Sequence, residues 1–319
     1  SKNLYKGYTL YNFADGEYVP IRQRSGNENI SNNWSDFNRL TFQAQLNYET
    51  TLSDKHGISA ALVFEQQQTA NRSARLQRYY DFYTTDQIDF AGLNRQETGG
   101  LETETARLSY IGRLNYNYDE RYLLEVAARY DGSYRYHPDQ RWGFFPVVSA
   151  GWRLSEENFI KQSLPIFSDL KLRASYGIVG EDAGAPFQYV QGFSTTGGGG
   201  YEFINGEYTN GAAAPAIVNP NLTWFTSTIT DFGLNLGLWD NRFTFEFDVY
   251  QRDREGLLAI RNLALPNTFG GTLPEENLNS DRVRGLDFSI GFNNQHNGFK
   301  YGIQGNFNYA RTMNRYVER

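Results

Sequence analysis

The side chains in this sequence best suited to holding a ligand are aromatic. Arg78 to Asp86 reads RYYDFYTTD and places Tyr79, Tyr80, Phe82 and Tyr83 within one short stretch. Aromatic faces stack on sugar rings and also grip peptides, so these four are candidate ligand-binding residues. Packing under a neighbouring loop, or under a covering partner, explains the same cluster. Tyr201 and Phe203 are a second candidate pair, beside the glycine run of TTGGGGYEF (195–203). That run suits a hinge over a binding mouth. It lacks the Lys-Ser/Thr ending and the strand–helix context of a phosphate loop, so nucleotide binding is not expected.

Other chemistry has little support. There is no cysteine, and His56, His137 and His296 fall in three separate connections, so no metal site and no cofactor are expected. The acidic residues bracketing DGSYRYHPD (131–139) do not follow calcium-loop spacing and fit a structural turn. Glu156 and Glu157 are adjacent carboxylates in a turn, where solvation or capping accounts for them. No nucleophile elbow with triad partners is present, so enzymatic activity is not expected. A net charge of −6 argues against nucleic acid as a partner.

The elements that must carry these loops are strands. Phe and Tyr occur 23 times each and Gly 31 times, a composition that favours β-structure over helix. Alternation with period two dominates. In FNRLTFQAQLNY, Leu40, Phe42, Ala44, Leu46 and Tyr48 share one face, and Arg39, Thr41, Gln43, Gln45 and Asn47 share the other. The pattern recurs at 107–117, 121–131, 142–154, 170–179, 225–238, 242–254, 284–293 and 299–311, more weakly at 57–67. Ten strands are expected, most of 9–14 residues. Short connections (49–56, 118–120, 239–241, 294–298, and a longer 155–168 with Ser155 as a helix cap) alternate with long ones (68–105, 132–141, 180–224, 255–283). In an up-and-down antiparallel sheet the short turns then share one end and the long loops the other, the asymmetry of an outer-membrane barrel.

Alternation alone also fits a soluble sandwich with one face on a core. Strand length, aromatic strand ends, turn asymmetry and a second face carrying Gln43, Arg107, Arg113, Arg129, Lys171, Arg173, Glu246 and Asp248 favour a transmembrane barrel with a wet lumen. RWGFFPVVSAGWRLSEENF (141–159) makes the test sharp. Trp142, Phe144, Pro146, Val148, Ala150, Trp152 and Leu154 form one apolar face, expected to meet outer-membrane lipid, with Trp142 and Trp152 at the two interfaces. Pro146 lacks a ladder donor, so a bulge is expected there.

GRLNYNYDERYLLEVAARYDGSYRYHPDQRWGFFPVVSAGWRLSEENF (112–159) closely resembles the barrel signature of SusC/RagA-type TonB-dependent transporters of Bacteroidota. The resemblance continues through LKLRASYGIVGEDAG (170–184), 219–258 and 265–314, and is looser over 1–105. It implies a barrel of about 22 strands closed by an N-terminal plug. It also implies a SusD-like lipoprotein over the extracellular mouth and a TonB–ExbB–ExbD complex that opens the plug. The implied substrates are oligosaccharides or peptides, and the implied location is the outer membrane of a Gram-negative bacterium. No plug, TonB box or terminal strands are found in residues 1–319. The expectation is therefore a partial barrel domain, ten strands of the larger wall. A soluble carbohydrate-binding sandwich and a structural barrel in an envelope assembly remain the alternative readings.

Overall fold

The computed structural model describes residues 2–5, 8–14, 16–24, 28–80, 85–193, 201–202, 206, 208–209, 211–212, 217–261 and 273–318. Fifteen strands occur among them, in chain order: β1 (Lys2–Tyr5), β2 (Tyr8–Ala14), β3 (Glu17–Arg24), β4 (Asn29–Leu52), β5 (His56–Tyr79), β6 (Gln96–Tyr118), β7 (Tyr122–Ser133), β8 (Trp142–Arg153), β9 (Phe167–Glu181), β10 (Tyr201–Glu202), β11 (Tyr208–Thr209), β12 (Phe225–Leu238), β13 (Phe243–Ala259), β14 (Glu276–His296) and β15 (Phe299–Tyr316). One helix, α1 (Asn158–Ser163), joins β8 to β9. Eleven strands form one sheet in the order β1-β4-β5-β6-β7-β8-β9-β12-β13-β14-β15. Every long strand pairs with its sequence neighbour, as an up-and-down sheet requires. The ten expected strands are all present, and the short β1 adds an eleventh.

Two compact units divide the chain. One comprises 1–41 and 67–106, the other 42–66 and 107–319. The first holds the β2–β3 hairpin and a small core of Ile30, Tyr80 and Ala91, with Ile88 against it. The second holds most of the sheet.

Tight turns explain the short connections. Ser53 and Asp54, Asp119 and Glu120, and Asn297 and Gly298 all have positive φ at successive positions. That backbone matches the right-handed twist of paired strands and lets a hairpin reverse in two residues.

The long connections are shorter than expected. Residues 68–79 and 96–106 continue β5 and β6, and 276–283 open β14. These stretches are polar on both faces, so they carry no alternation to read. On the β13–β14 pair, Asp253 binds Arg282 at 2.5 Å on one face, and Arg254 Nε donates to Asp281 at 2.9 Å on the other. A strand with charge on both sides lies beyond lipid and remains a strand because its ladder partner continues. Ser155 is not the cap of α1. It lies in the preceding 3₁₀ turn, and the residue before the helix is Glu157, with no side-chain capping bond. Nor does Pro146 make a bulge. The β7–β8 register runs through it unbroken, and β8–β9 pairing begins only at Val147, so the missing N–H falls where no partner is needed.

The faces of β8 separate cleanly. Phe144 is 62% exposed and Val148 41%, whereas Phe145 is 5% exposed. The same apolar, exposed face runs through Tyr110 and Leu114 of β6, Tyr122, Leu124, Val126 and Tyr130 of β7, and Leu172 and Tyr176 of β9. In water, a continuous apolar surface of this extent invites association; in lipid it is the required exterior. Aromatic rings bound it. Trp142 stacks on Tyr130 (4.8 Å, 13°), and Trp152 on Tyr122 (6.1 Å, 19°). Gly132 gives the Trp142 ring its place, because a Cβ there would meet the ring at 2.9 Å. The ten residue steps from Trp142 to Trp152 span about 33 Å of strand, or about 25 Å across the membrane at a tilt near 40°. That matches the apolar band of an outer-membrane barrel.

At the Trp152 end one carboxylate ties the rim together. The Tyr122 hydroxyl and the Trp152 indole N–H both donate to Glu157 Oε1, at 2.8 and 3.1 Å. These two donors, with Arg121 nearby, hold the Glu157 carboxyl below its ordinary range. Because the folded pKa is depressed, the stabilisation is present above the ordinary glutamate range and is lost as pH falls through the lowered value. Acidification should therefore release Trp152 and change its emission. Glu157→Gln should show the changed emission at neutral pH and no further acid transition.

Candidate functional site: the loop end of the second unit

The connections 134–141, 182–224 and 260–275 leave the same end of the sheet. Within the second unit a small core holds the described stretches 134–141 and 217–224 of the first two. Phe145 turns away from the lipid face and meets Trp224 edge-on at 5.3 Å. Tyr136 and Leu222 complete the cluster, with Ile178 and Leu258 against it. Glycines at 143 and 180 leave room for the Phe145 ring, since a Cβ at either would collide with it.

Polar bonds fix the loop backbones to this core. Trp224 Nε1 donates to the Arg141 carbonyl and Thr223 Oγ1 to the Gln140 carbonyl, both at 3.0 Å. Asn277 receives the Thr223 N–H at 2.9 Å and returns a bond to the Thr223 carbonyl at 2.9 Å. The Tyr136 hydroxyl accepts the Ala183 N–H at 3.0 Å, and burial pushes that phenol up to about 12, so it stays neutral at any working pH. Asp182 collects Ser133 Oγ at 2.8 Å, Arg135 Nε at 3.4 Å and the Arg107 guanidinium.

Above this base lies a run of rings. Tyr134 meets Phe187 at 5.8 Å, Phe187 meets Tyr189 at 6.2 Å, and Tyr189 meets His137 at 5.3 Å. Phe187 is 47% exposed and has φ +61°. A bulky non-glycine residue in the left-handed region costs of order 1 kcal/mol or more and persists only where its surroundings hold it. Here the Arg135 carbonyl accepts the Phe187 N–H at 3.2 Å, and the Phe187 carbonyl accepts that of Val190 at 2.8 Å. Gln188 is braced by Glu275 at 2.6 Å. The result is a fixed shelf of rings in which Phe187 is exposed, Tyr134 and Tyr189 are half-buried, and polar groups stand at the margin. Sequence reasoning passed over it. The aromatic spacing of PFQYVQGF (186–193) was a signal, but nothing marked Tyr134 and His137 as its neighbours in space.

The aromatics singled out from the sequence are placed as follows. Tyr79 ends β5, with the Arg95 guanidinium 3.8 Å over its ring and its hydroxyl donating to Glu97 at 3.0 Å. Tyr80 is buried in the core of the first unit, its hydroxyl donating to the Thr85 carbonyl at 2.6 Å. Phe82, Tyr83 and Phe203 lie outside the described residues, and Tyr201 is described only as backbone of the short β10–β11 pair. His56 Nδ1 lies 2.8 Å from the Tyr116 hydroxyl, at the turn end of the sheet. Among the described residues no three His, Asp or Glu side chains gather as metal ligands.

The inner face of the sheet is polar and internally paired. Arg173 of β9 reaches across Gly233 of β12 to Asp248 of β13, with bonds of 2.8 and 2.9 Å. Asp287 of β14 stands beside Asp248 in register. Such a face suits a hydrated lumen and is foreign to lipid.

The family model for TonB dependent receptor-like β-barrels matches residues 2–318. The chain belongs to this receptor family. TonB-dependent receptor P3 of Formosa agariphila is 31% identical over 241 residues, covering 74% of this chain and 23% of that protein. TonB-dependent receptor SusC of Bacteroides thetaiotaomicron is 34% identical over 220 residues, 66% of this chain and 20% of that protein. The chain thus spans about a quarter or less of the curated relatives it matches. In fold it is similar to the RagAB peptide importer in its open-open state, with a TM-score of 0.78 at 19% identity over 94% of this chain and 32% of that one. The lipid-facing sheet is therefore part of a receptor barrel.

Proposed function

We propose that this chain forms part of the barrel wall of an outer-membrane, TonB-dependent importer of large nutrients, oligosaccharides or peptides. In this reading it is one portion of a longer receptor whose plug and remaining strands lie elsewhere in the protein. A SusD-like lipoprotein covers the external mouth, and a TonB–ExbB–ExbD complex supplies the force that opens the plug. The chain performs no catalysis of its own. The observation that carries the reading is the division of one sheet into an apolar face rimmed by Trp142 and Trp152 and a polar face tied by Arg173 and Asp248. Deleting the full-length gene should abolish growth on the cognate polymer or peptide mixture, and inactivating TonB should do the same. Undiminished uptake after deletion would favour a purely structural barrel.

Ligand contact is assigned to loop aromatics on each unit separately. On the first unit these are Tyr79, Phe82 and Tyr83, with Tyr80 supporting the loop from beneath. On the second they are the Tyr134–Phe187–Tyr189 shelf, with Tyr201 and Phe203 on the same connection. Phe187 offers a sharp test because its backbone is strained. Phe187→Gly relieves the backbone strain while losing the ring's contacts with Tyr134 and Tyr189, so the fold should stay close to its original stability. Losing one stacking ring should nevertheless weaken ligand binding by about 1–2 kcal/mol, roughly tenfold in Kd. Unchanged affinity would remove the shelf from the binding surface.

A further inference from the structure

The connection between β8 and β9, residues 154–166, carries apolar side chains that the barrel fold does not need. Phe159 is 56% exposed, Leu164 44% and Ile166 40%. The segment lies at the end of the sheet where the tight turns cluster, and turns at that end need only reverse the chain. The turns after β4 and β6 use polar residues such as Ser53, Asp54, Asp119 and Glu120, whereas the turn after β12 begins with the exposed Trp239.

The position of the segment follows from Glu157. Its carboxylate is bonded by Tyr122 and Trp152, which both belong to the exposed apolar face of the sheet. The start of the connection is therefore tied to the lipid-side rim of the wall at Glu157. Helix α1 starts one residue later and carries the exposed Phe159 two residues after Glu157. At its far end the Ile166 carbonyl accepts the N–H of Trp239 at 3.1 Å, and Trp239 is itself 51% exposed. Trp239 meets Phe243 at 6.4 Å, at the start of the neighbouring strand. Phe159, Leu164 and Ile166 are thus exposed apolar groups on a segment tethered at Trp152 through Glu157 and at Trp239 through Ile166. Basic groups stand beside them. Lys161 binds Glu156 at 2.7 Å, and Arg153 reaches Glu156 and Glu120 at 3.5 Å. Exposed aromatic and aliphatic side chains beside charged groups that pair with one another suit a segment lying in a membrane interface.

We propose that residues 154–166, with Trp239, are an interfacial anchor that beds into the phospholipid leaflet at the turn end of the barrel, the periplasmic leaflet in an outer-membrane orientation. The occupant of this surface is phospholipid, not a protein and not the plug. The anchor would fix the depth of β8 and β9 in the membrane and resist axial pull on the wall during transport. The proposal rests on the membrane reading of the sheet.

The test uses the full-length receptor in vesicles of phosphatidylethanolamine and phosphatidylglycerol, without any partner protein. A bimane label is placed by Phe159→Cys, Leu164→Cys, Val148→Cys and Lys55→Cys in separate variants. Quenching is read separately with lipids brominated near the head of the acyl chain and with lipids brominated near its end. The labels at Phe159 and Leu164 should lose most of their emission to the shallow bromines and the one at Val148 to the deep ones, while the label at Lys55 in a tight turn keeps its own with both. If Val148 is quenched but Phe159 and Leu164 behave like Lys55, the anchor is refuted and the membrane reading stands. If Val148 also escapes quenching, both fall. Two labelled positions keep the result readable should either variant fail to assemble.

Discussion

Val148→Arg should cost about 2–4 kcal/mol of insertion free energy, the range for a cation placed near mid-bilayer on the lipid face of a barrel. Val148 lies within the span from Trp142 to Trp152, and its neighbours in register are Val126 of β7 and Tyr176 of β9. An arginine there has no carboxylate on its own face within the apolar band and must drag water or lipid headgroups inward. The adjacent position reverses the result. Ser149→Arg points to the polar side, opposite Glu125 in the β7 register, and should insert almost normally. The pair is measured by refolding the full-length receptor into vesicles and following its heat-modifiable migration. Equal penalties at 148 and 149 would show that neither face of β8 meets lipid.

Phe145→Ala should cost about 3–5 kcal/mol locally, the usual range for emptying a buried aromatic site. The ring is 5% exposed and is the wedge between Trp224, Tyr136 and Leu222. Collapse cannot fill the gap, because Gly143 and Gly180 have no side chains to move into it. The loss falls on the loop end, where the Phe145 ring packs with Tyr136, Leu222 and Trp224. Hydrogen exchange should therefore rise across 134–141 and 217–224 while insertion stays intact. Protection unchanged in both loops would mean that the polar bonds of Asn277, Thr223 and Trp224 hold the loops without the core.

These contrasting effects show which parts of the molecule can be read from sequence. The lipid-crossing part of each strand is legible because the two solvents on its two faces impose period two. Leu108 to Tyr116 and Trp142 to Trp152 are clear for that reason. Beyond lipid both faces are wet and the constraint disappears, so 68–79, 96–106 and 276–283 read as loop although their ladders continue. Tight turns were legible as polar breaks, but the left-handed pair Asp119 and Glu120 was not, because neither residue type demands that backbone. The binding end was least legible. RYYDFYTTD stands out as a local cluster, yet Tyr80 is committed to holding its own loop. The Tyr134–Phe187–Tyr189 shelf joins two connections far apart in sequence, and only the fold brings them together.

The alternation of faces along β8 is the central claim, and a cysteine scan from Trp142 to Arg153 tests it most directly. The sequence has no native cysteine in this chain. Single cysteines in the full-length receptor, embedded in the membrane, are exposed to a water-soluble maleimide. Positions 143, 147, 149, 151 and 153 should label, and 144, 148, 150 and 152 should be protected by lipid. Labelling without a period of two, or with the two sets exchanged, would contradict the account.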